Sequence, residues 1–342
     1  MNRNFVLVCA LLAVPSVLSA EDHPPEAIRQ ASLGVSLSQQ AKYRQAIEAY
    51  HRAIAIDNRL PGIYLDLGLA YFKLGDFRNA RDAFAQQDRT APDARVTTLL
   101  AMSDFGLGQY RNAADRLKPV YDAQPGNPEL GYLLAKCYVW SGQKEQAMTL
   151  FRTLLERDPN AAPVHMLLGE ALDADLKTDE AITEFEAAAK AAPAQPDVHF
   201  GLGYLYWKQH RDDDAAREFR QELTNDPNSA DAFAYLGDVL LKQSKKQEAM
   251  EMLKKAIALR GDLHVARMDL GILYSEQKQY DLAIDQFREA ARYDPTAFDA
   301  HYRLGRLYAD LGRAKEADAE FAIVKKLHEK KDEEPLMKIS GP

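Results

Sequence analysis

The sequence predicts an all-α fold, an array of paired amphipathic helices, on three observations. Leucine recurs at Leu33, Leu67, Leu100, Leu134, Leu168, Leu202, Leu236, Leu270 and Leu304; seven of the eight spacings are 34 residues and one is 33. Thirteen residues after each leucine stands an alanine, from Ala46 and Ala80 to Ala317. Four residues further on comes a large apolar side chain: Tyr50, Phe84, Leu117, Phe151, Phe185, Phe219, Leu253, Phe287 and Phe321. Self-similarity at such a period marks a repeat architecture, in which each unit buries its apolar face only against its neighbours.

Each unit divides into two helical segments. In the seventh, Phe233, Leu236, Gly237 and Leu240 fall at i, i+3, i+4 and i+7, one face of a helix. Ala249, Leu253 and Ala256 give the second segment the same spacing. A small residue follows every leucine, from Gly34 through Ala101 and Ala135 to Gly305, and lets the two helices approach closely. Proline cannot continue a helix, and it closes six units, at Pro92, Pro125, Pro159, Pro193, Pro227 and Pro295.

These residues resemble the tetratricopeptide repeat family over 27–331, as nine units: 27–60, 61–93, 94–127, 128–161, 162–195, 196–229, 230–263, 264–297 and 298–331. The resemblance implies antiparallel helix pairs stacked into a right-handed superhelical solenoid with a concave groove. Two units depart from the pattern. The third carries the single deletion, Ala101 for glycine, and Asp104 where most units have Tyr or Leu, which predicts looser stacking there. The ninth has Glu329 in place of the closing proline, so its second helix is expected to run on as a polar cap.

The ends of the chain read differently. Arg3, the apolar run from Phe5 to Val14, Pro15 and Leu18-Ser19-Ala20 form the pattern of a secretory signal over 1–20, too short for a membrane anchor. Residues 21–26 read as a short linker and 332–342 as a C-terminal tail. Cleavage removes Cys9 and leaves Cys137 alone, which predicts a buried thiol in an exported protein. An exported, periplasmic or secreted chain without an Asn-x-Ser/Thr sequon fits a bacterial source. With 43 basic and 51 acidic residues the net charge is −8, which argues against nucleic acid as a partner. After cleavage no integral membrane segment is expected.

The repeats leave too few residues outside them for a catalytic domain, so no enzyme is expected, and no HExxH, GxSxG or P-loop string is present. His165, His199 and His301 share the fourth position of their units. Neighbouring repeats lie about 10 Å apart, too far for one metal ion with bonds of about 2 Å. They are therefore read as packing side chains, with no metal and no cofactor. Asp212-Asp213-Asp214 is read as the acidic start of a helix.

Family geometry places positions 2, 5, 9, 12 and 13 of each first helix on the concave face. That puts both tryptophans there. The resulting candidate groove is Tyr132, Lys136 and Trp140, then Met166 and Glu170, then Phe200, Tyr204, Trp207 and Lys208, with Phe72, Met102 and Phe105 extending the apolar strip. Large rings are enriched at binding hot spots, though they can equally pack against the neighbouring helix. In units seven to nine the same face carries Asp231, Asp238, Glu276, Asp299 and Asp310 against Lys242 and Arg306. It is read as a solvated face that would favour basic or polar segments. The carboxylate clamp of tetratricopeptide co-chaperones needs asparagine at position 9; here that position holds no asparagine. The resulting expectation is a non-catalytic scaffold for a peptide or protein partner in the cell envelope. A role in carbohydrate binding or polysaccharide export is the alternative. The exposed edges of the terminal repeats leave self-association open.

Overall fold

The computed structural model describes residues 23–333, with side chains to residue 329. The signal-like segment 1–20 and most of the tail lie outside the described residues. Among the described residues eighteen α-helices follow one another with short turns between them. By internal contact the chain divides into two compact units, one ending at Val164 and one beginning at His165.

The first unit opens with α1 (Pro25–Gln39) and α2 (Tyr43–Ile56), then α3 (Ile63–Lys73) and α4 (Phe77–Thr90). It continues with α5 (Ala94–Gly106) and α6 (Tyr110–Ala123), then α7 (Pro128–Trp140) and α8 (Lys144–Arg157). The division falls within α9 (Ala162–Ala174). The second unit holds α10 (Thr178–Ala191), α11 (Val198–Lys208), α12 (Asp212–Asn225), α13 (Ala230–Lys242) and α14 (Lys246–Leu259). Then come α15 (His264–Glu276), α16 (Tyr280–Tyr293), α17 (Phe298–Asp310) and α18 (Ala314–Glu333). The last helix thus runs two residues into the segment read as tail.

The repeated positions are the core. All nine repeat alanines are buried, and so are the repeat leucines from Leu67 onward. Leu33 is the exception at 43% exposed; it belongs to the first helix among the described residues, with no described unit before it to cover that face. The small residue after the leucine is a contact requirement. A Cβ built on Gly68 would stand 2.5 Å from the Phe84 ring, and one on Gly271 2.4 Å from the Phe287 ring. Hence glycine there admits the large apolar residue of the second helix into the first.

One left-handed residue turns the chain inside each pair. Gly75, Gly108, Gly142 and Gly312 take that conformation without strain, whereas Ala41, Leu176, His210, Ser244 and Lys278 adopt it with φ between 56° and 62°. Side-chain capping is used sparingly: Asp76, Asp93, Asn127 and Ser229 each accept from a backbone N–H of the following first turn.

The third repeat does not loosen as its departures predict. Asp104 is 1% exposed, yet it accepts from Arg116 Nε at 2.8 Å, and Arg81 Nη1 of α4 lies 3.9 Å away. A buried carboxylate is tolerated when it is paired. Here the pairing ties α5 to α6 and to α4. Position 4 carries another tie. His165, His199 and His301 stand 2.6, 2.7 and 2.6 Å from Glu184, Glu218 and Glu320, each nineteen residues on, so each pins the first helix of its pair to the second. Arg267 makes the equivalent bond to Gln286 at 3.1 Å.

Candidate functional site

In the first unit an aromatic cluster gathers at the C-terminal ends of α5 and α7. The Trp140 indole lies on the Phe105 ring at 4.8 Å between centroids and 28° between planes. Tyr110, the first residue of α6, meets both rings edge-on at 5.2 and 5.4 Å. Lys136, one turn before Trp140, carries its ammonium 4.8 Å from the indole centroid and 5.6 Å from those of Phe105 and Tyr132. Trp140 itself is 40% exposed. Part of the indole thus meets solvent, backed by the buried Phe105 ring.

In the second unit the cluster is built on α11 and α13. Glu222 of α12 holds the start of α11 in place. Its carboxylate accepts from the backbone N–H groups of Asp197 and Phe200 at 3.3 and 3.1 Å, the donors a helix start leaves unpaired. From there Phe200, Tyr204 and Trp207 fall on one face. Tyr204 and Trp207 stack at 5.6 Å, and Tyr235 of α13 meets them edge-on at 5.5 and 5.0 Å. Phe200 adds an edge contact to Tyr235 at 5.8 Å. Burial pushes the Tyr235 hydroxyl up to about 12.

A polar edge borders this cluster. Trp207 Nε1 donates to Asp238 Oδ2 at 2.5 Å. Lys242 Nζ reaches the same oxygen at 2.7 Å and stands 4.7 Å over the indole. Lys208 donates to Asp173 at 2.6 Å and lies 5.9 Å from the Tyr204 centroid. Asp269 of α15, on the next first helix, is 7% exposed, and its Oδ2 is shut from solvent with no hydrogen-bond partner among the described residues.

Set against the sequence, the groove residues separate into surface and floor. Trp140 and Glu170 are exposed, and Tyr132, Lys136, Met166, Phe200, Tyr204, Trp207 and Lys208 are half-buried. Phe72, Met102 and Phe105 are not an exposed strip: they are 7%, 3% and 6% exposed. Phe72 packs edge-on to Phe77 at 5.3 Å, and Phe105 supports Trp140 from below. Sequence reasoning missed Tyr110, Tyr235 and Asp269. Tyr235 and Asp269 sit at position 6, outside the concave set. The signal for both is a 31-residue offset, which sets position 9 of one unit against position 6 of the next: Tyr204 with Tyr235, and Asp238 with Asp269.

Two clefts lie beside these elements. One of about 370 Å³ opens among α6, α7 and α8, lined by Lys118, Tyr121, Tyr138 and Thr149. The other, about 340 Å³, lies beside Tyr235 and is lined by Asp231, Arg260 and His264. Among the described residues no group of three or more His, Cys, Asp or Glu side chains could hold a metal ion. No helix among them is long and apolar enough to cross a membrane.

Stacked helix pairs bearing surface rings define an α-helical repeat scaffold of the protein-interaction class. Family profiles make the class specific. Those described as tetratricopeptide repeat match residues 61–93, 105–171, 166–230 and 200–263, and one described as TPR repeat matches 36–75 and 271–312. The chain is a tetratricopeptide repeat protein, a family that is generally non-catalytic.

Among curated proteins it is similar to a DnaJ homolog subfamily C member 7 homolog of Schizosaccharomyces pombe, 26% identical over 173 residues. That stretch covers 45% of this chain and 36% of the relative, so the chain spans about a third of that protein's length. A solved structure from a functional characterization of Pseudomonas aeruginosa pilF matches with a TM-score of 0.53 at 21% identity, over 58% of this chain and 91% of that one. The crystal structure of MamA matches at 0.43 and 27%, over 48% and 96%. That of YrrB, described as a TPR protein with an unusual peptide-binding site, matches at 0.43 and 22%, over 52% and 91%. The pilF likeness speaks to fold alone.

Proposed function

We propose that the protein is an exported, non-catalytic scaffold that binds segments of a partner protein on the tryptophan-bearing faces of its first helices. One observation carries this reading: each compact unit holds one tryptophan, and each tryptophan sits in a rigid aromatic cluster with a lysine over its ring. Rings already stacked on their neighbours lose little freedom when a ligand covers them, so contact area converts efficiently into affinity. Two separate patches also suit a partner that touches both, since linked weak contacts multiply.

The setting is the cell envelope, in assembly or secretion. Support for it comes from the signal-like segment 1–20 of the sequence. The alternative is a carbohydrate ligand, favoured by the half-exposed indole face of Trp140, since sugar rings stack on such faces.

Cross-linking in the native envelope followed by mass spectrometry tests the proposal. The wild-type chain is expected to trap one reproducible protein partner, and Trp140→Ala with Trp207→Ala to lose it. Equal trapping by the double variant would contradict the assignment. Retention on envelope glycans with no protein cross-link would favour the alternative.

A further inference from the structure

Each repeat is covered by the one that follows it. Phe200, at position 5, is met by Tyr235 of the next first helix at 5.8 Å. Met268, at the same position, is 7% exposed and packs into the core shared with α17. Ile284 and Ala291 of α16 are buried in that core too. One repeat further on, these three positions hold Tyr302, Asp318 and Lys325. No described helix follows α18 to cover the face they share.

That end face is unevenly polar. On α18 the isoleucine and alanine have become Asp318 and Lys325, both exposed, as a solvated cap requires. On α17 the apolar row persists: Phe298 and Tyr302 are one turn apart and 47% and 45% exposed. Arg306 continues the row, and its Nη1 donates to the Tyr302 hydroxyl at 3.4 Å. Adjacent exposed rings with a polar rim are the composition of a contact surface.

The charges on the face complement themselves. Ring contacts fix how the two helices lie alongside each other. Tyr302 is 6.2 Å from Phe321, and Phe298 is 5.2 Å from His328. Tyr302 is therefore level with the midpoint between Asp318 and Lys325, which stand seven residues, about two turns, apart on α18. A two-fold axis lying in the face and crossing both helices at that level reverses each helix onto its copy. It sets Asp318 opposite Lys325 of the second copy, twice over. It also sets Phe298 opposite Arg306, a ring before a cation, and Tyr302 against itself. One register thus pairs the charges of α18 and buries the rings of α17.

We propose that the end face of the last repeat, centred on Tyr302, is the contact of a symmetric dimer of this chain. In it α17 packs antiparallel to α17 and α18 to α18, so every contact occurs twice.

Sedimentation velocity of the purified chain across a concentration series tests this. Wild type is expected to reach the mass of two chains in the micromolar range. Tyr302→Glu sets two carboxylates against each other at the axis and should weaken dimerisation about tenfold or more. Its thermal melt by circular dichroism reports that it folds. Asp318→Lys and Lys325→Asp should each weaken dimerisation by about tenfold, because two like-charge contacts replace two attractions. Mixed in equal amounts, those two variants should dimerise as wild type does, since the mixed pair restores both attractions. A wild type that stays monomeric overturns the proposal. If removal of residues 334–342 then yields a dimer, the chain's own C-terminal segment is the occupant instead. A dimer indifferent to Tyr302→Glu places the contact elsewhere, and a mixture no stronger than its two components overturns the register.

Discussion

The two aromatic clusters use similar components for different ends. Around Trp140 the indole is stacked on a buried phenylalanine with a lysine over it, and a tyrosine meets both rings edge-on. Around Trp207 a lysine also lies over the ring, but the indole is tied by its edge to Asp238, which that lysine reaches too. The difference follows from one residue of sequence register. Trp140 is the last residue of α7, where the helix ends and the ring overhangs. Trp207 is one place earlier in its repeat, with a residue of α11 still to come, and faces position 9 of the next first helix, where aspartate stands. The first cluster offers area, and the second offers a direction-dependent polar contact.

The largest effect that sharpens this contrast is on partner affinity. Truncating either tryptophan to alanine is expected to cost about 2 kcal/mol or more, roughly thirtyfold. The salt response should separate them. The loss from Trp140→Ala is expected to be the same at low and high ionic strength, because area is removed. The loss from Trp207→Ala should shrink as salt rises, because screening has already weakened the charged edge. Surface plasmon resonance across a salt series measures both, and identical salt slopes would erase the distinction.

A smaller effect concerns stability, and it isolates Asp269. Its carboxyl is protonated in the folded chain up to about pH 8, whereas the unfolded chain ionises near pH 4. Between those values the unfolded state binds fewer protons, so native stability falls as pH rises and levels off above 8. Asp269→Asn removes that fall. Its melting temperature should match wild type near pH 4 and exceed it increasingly up to pH 8. A difference independent of pH would mean that the carboxyl ionises normally. The corresponding test in the first unit is the Cys137 thiol, which is fully buried and pushed up to about 12. Ellman's reagent should leave it untouched until the protein is denatured.

The smallest effect lies in a turn. Leu176 is 88% exposed and left-handed, in a position that four other pairs give to glycine. Leu176→Gly should raise stability by up to about 1 kcal/mol in urea denaturation, by relieving the strained φ.

How much of this could be read from sequence depends on which contacts lie inside one unit. The helix pairs were legible because leucine, glycine, alanine and the aromatic recur at fixed offsets, and each contacts a partner from the same repeat, as Gly68 meets Phe84. The place of both tryptophans on first helices was equally legible. Contacts between units were not. Tyr235 meets Tyr204 across a boundary, and Asp269 takes its environment from the helices on either side of its own. Asp104 misled for the same reason. Judged alone it weakens the third repeat, but Arg81 of the preceding repeat and Arg116 of its own second helix compensate it. Phe72, Met102 and Phe105 occupy positions the family exposes, yet bulky neighbours cover them.

The central claim is that both tryptophans are partner-contact surfaces, and single-tryptophan variants test it most directly. In Trp140→Phe and Trp207→Phe, the remaining indole reports its own cluster by emission maximum and acrylamide quenching. The account predicts that saturating peptide or the cross-linked partner shifts emission to shorter wavelength and reduces quenching in both variants. The larger change should come from Trp140, the more exposed ring. Unchanged emission and quenching in both, at a ligand concentration where calorimetry shows binding, would place the binding surface elsewhere and contradict the account.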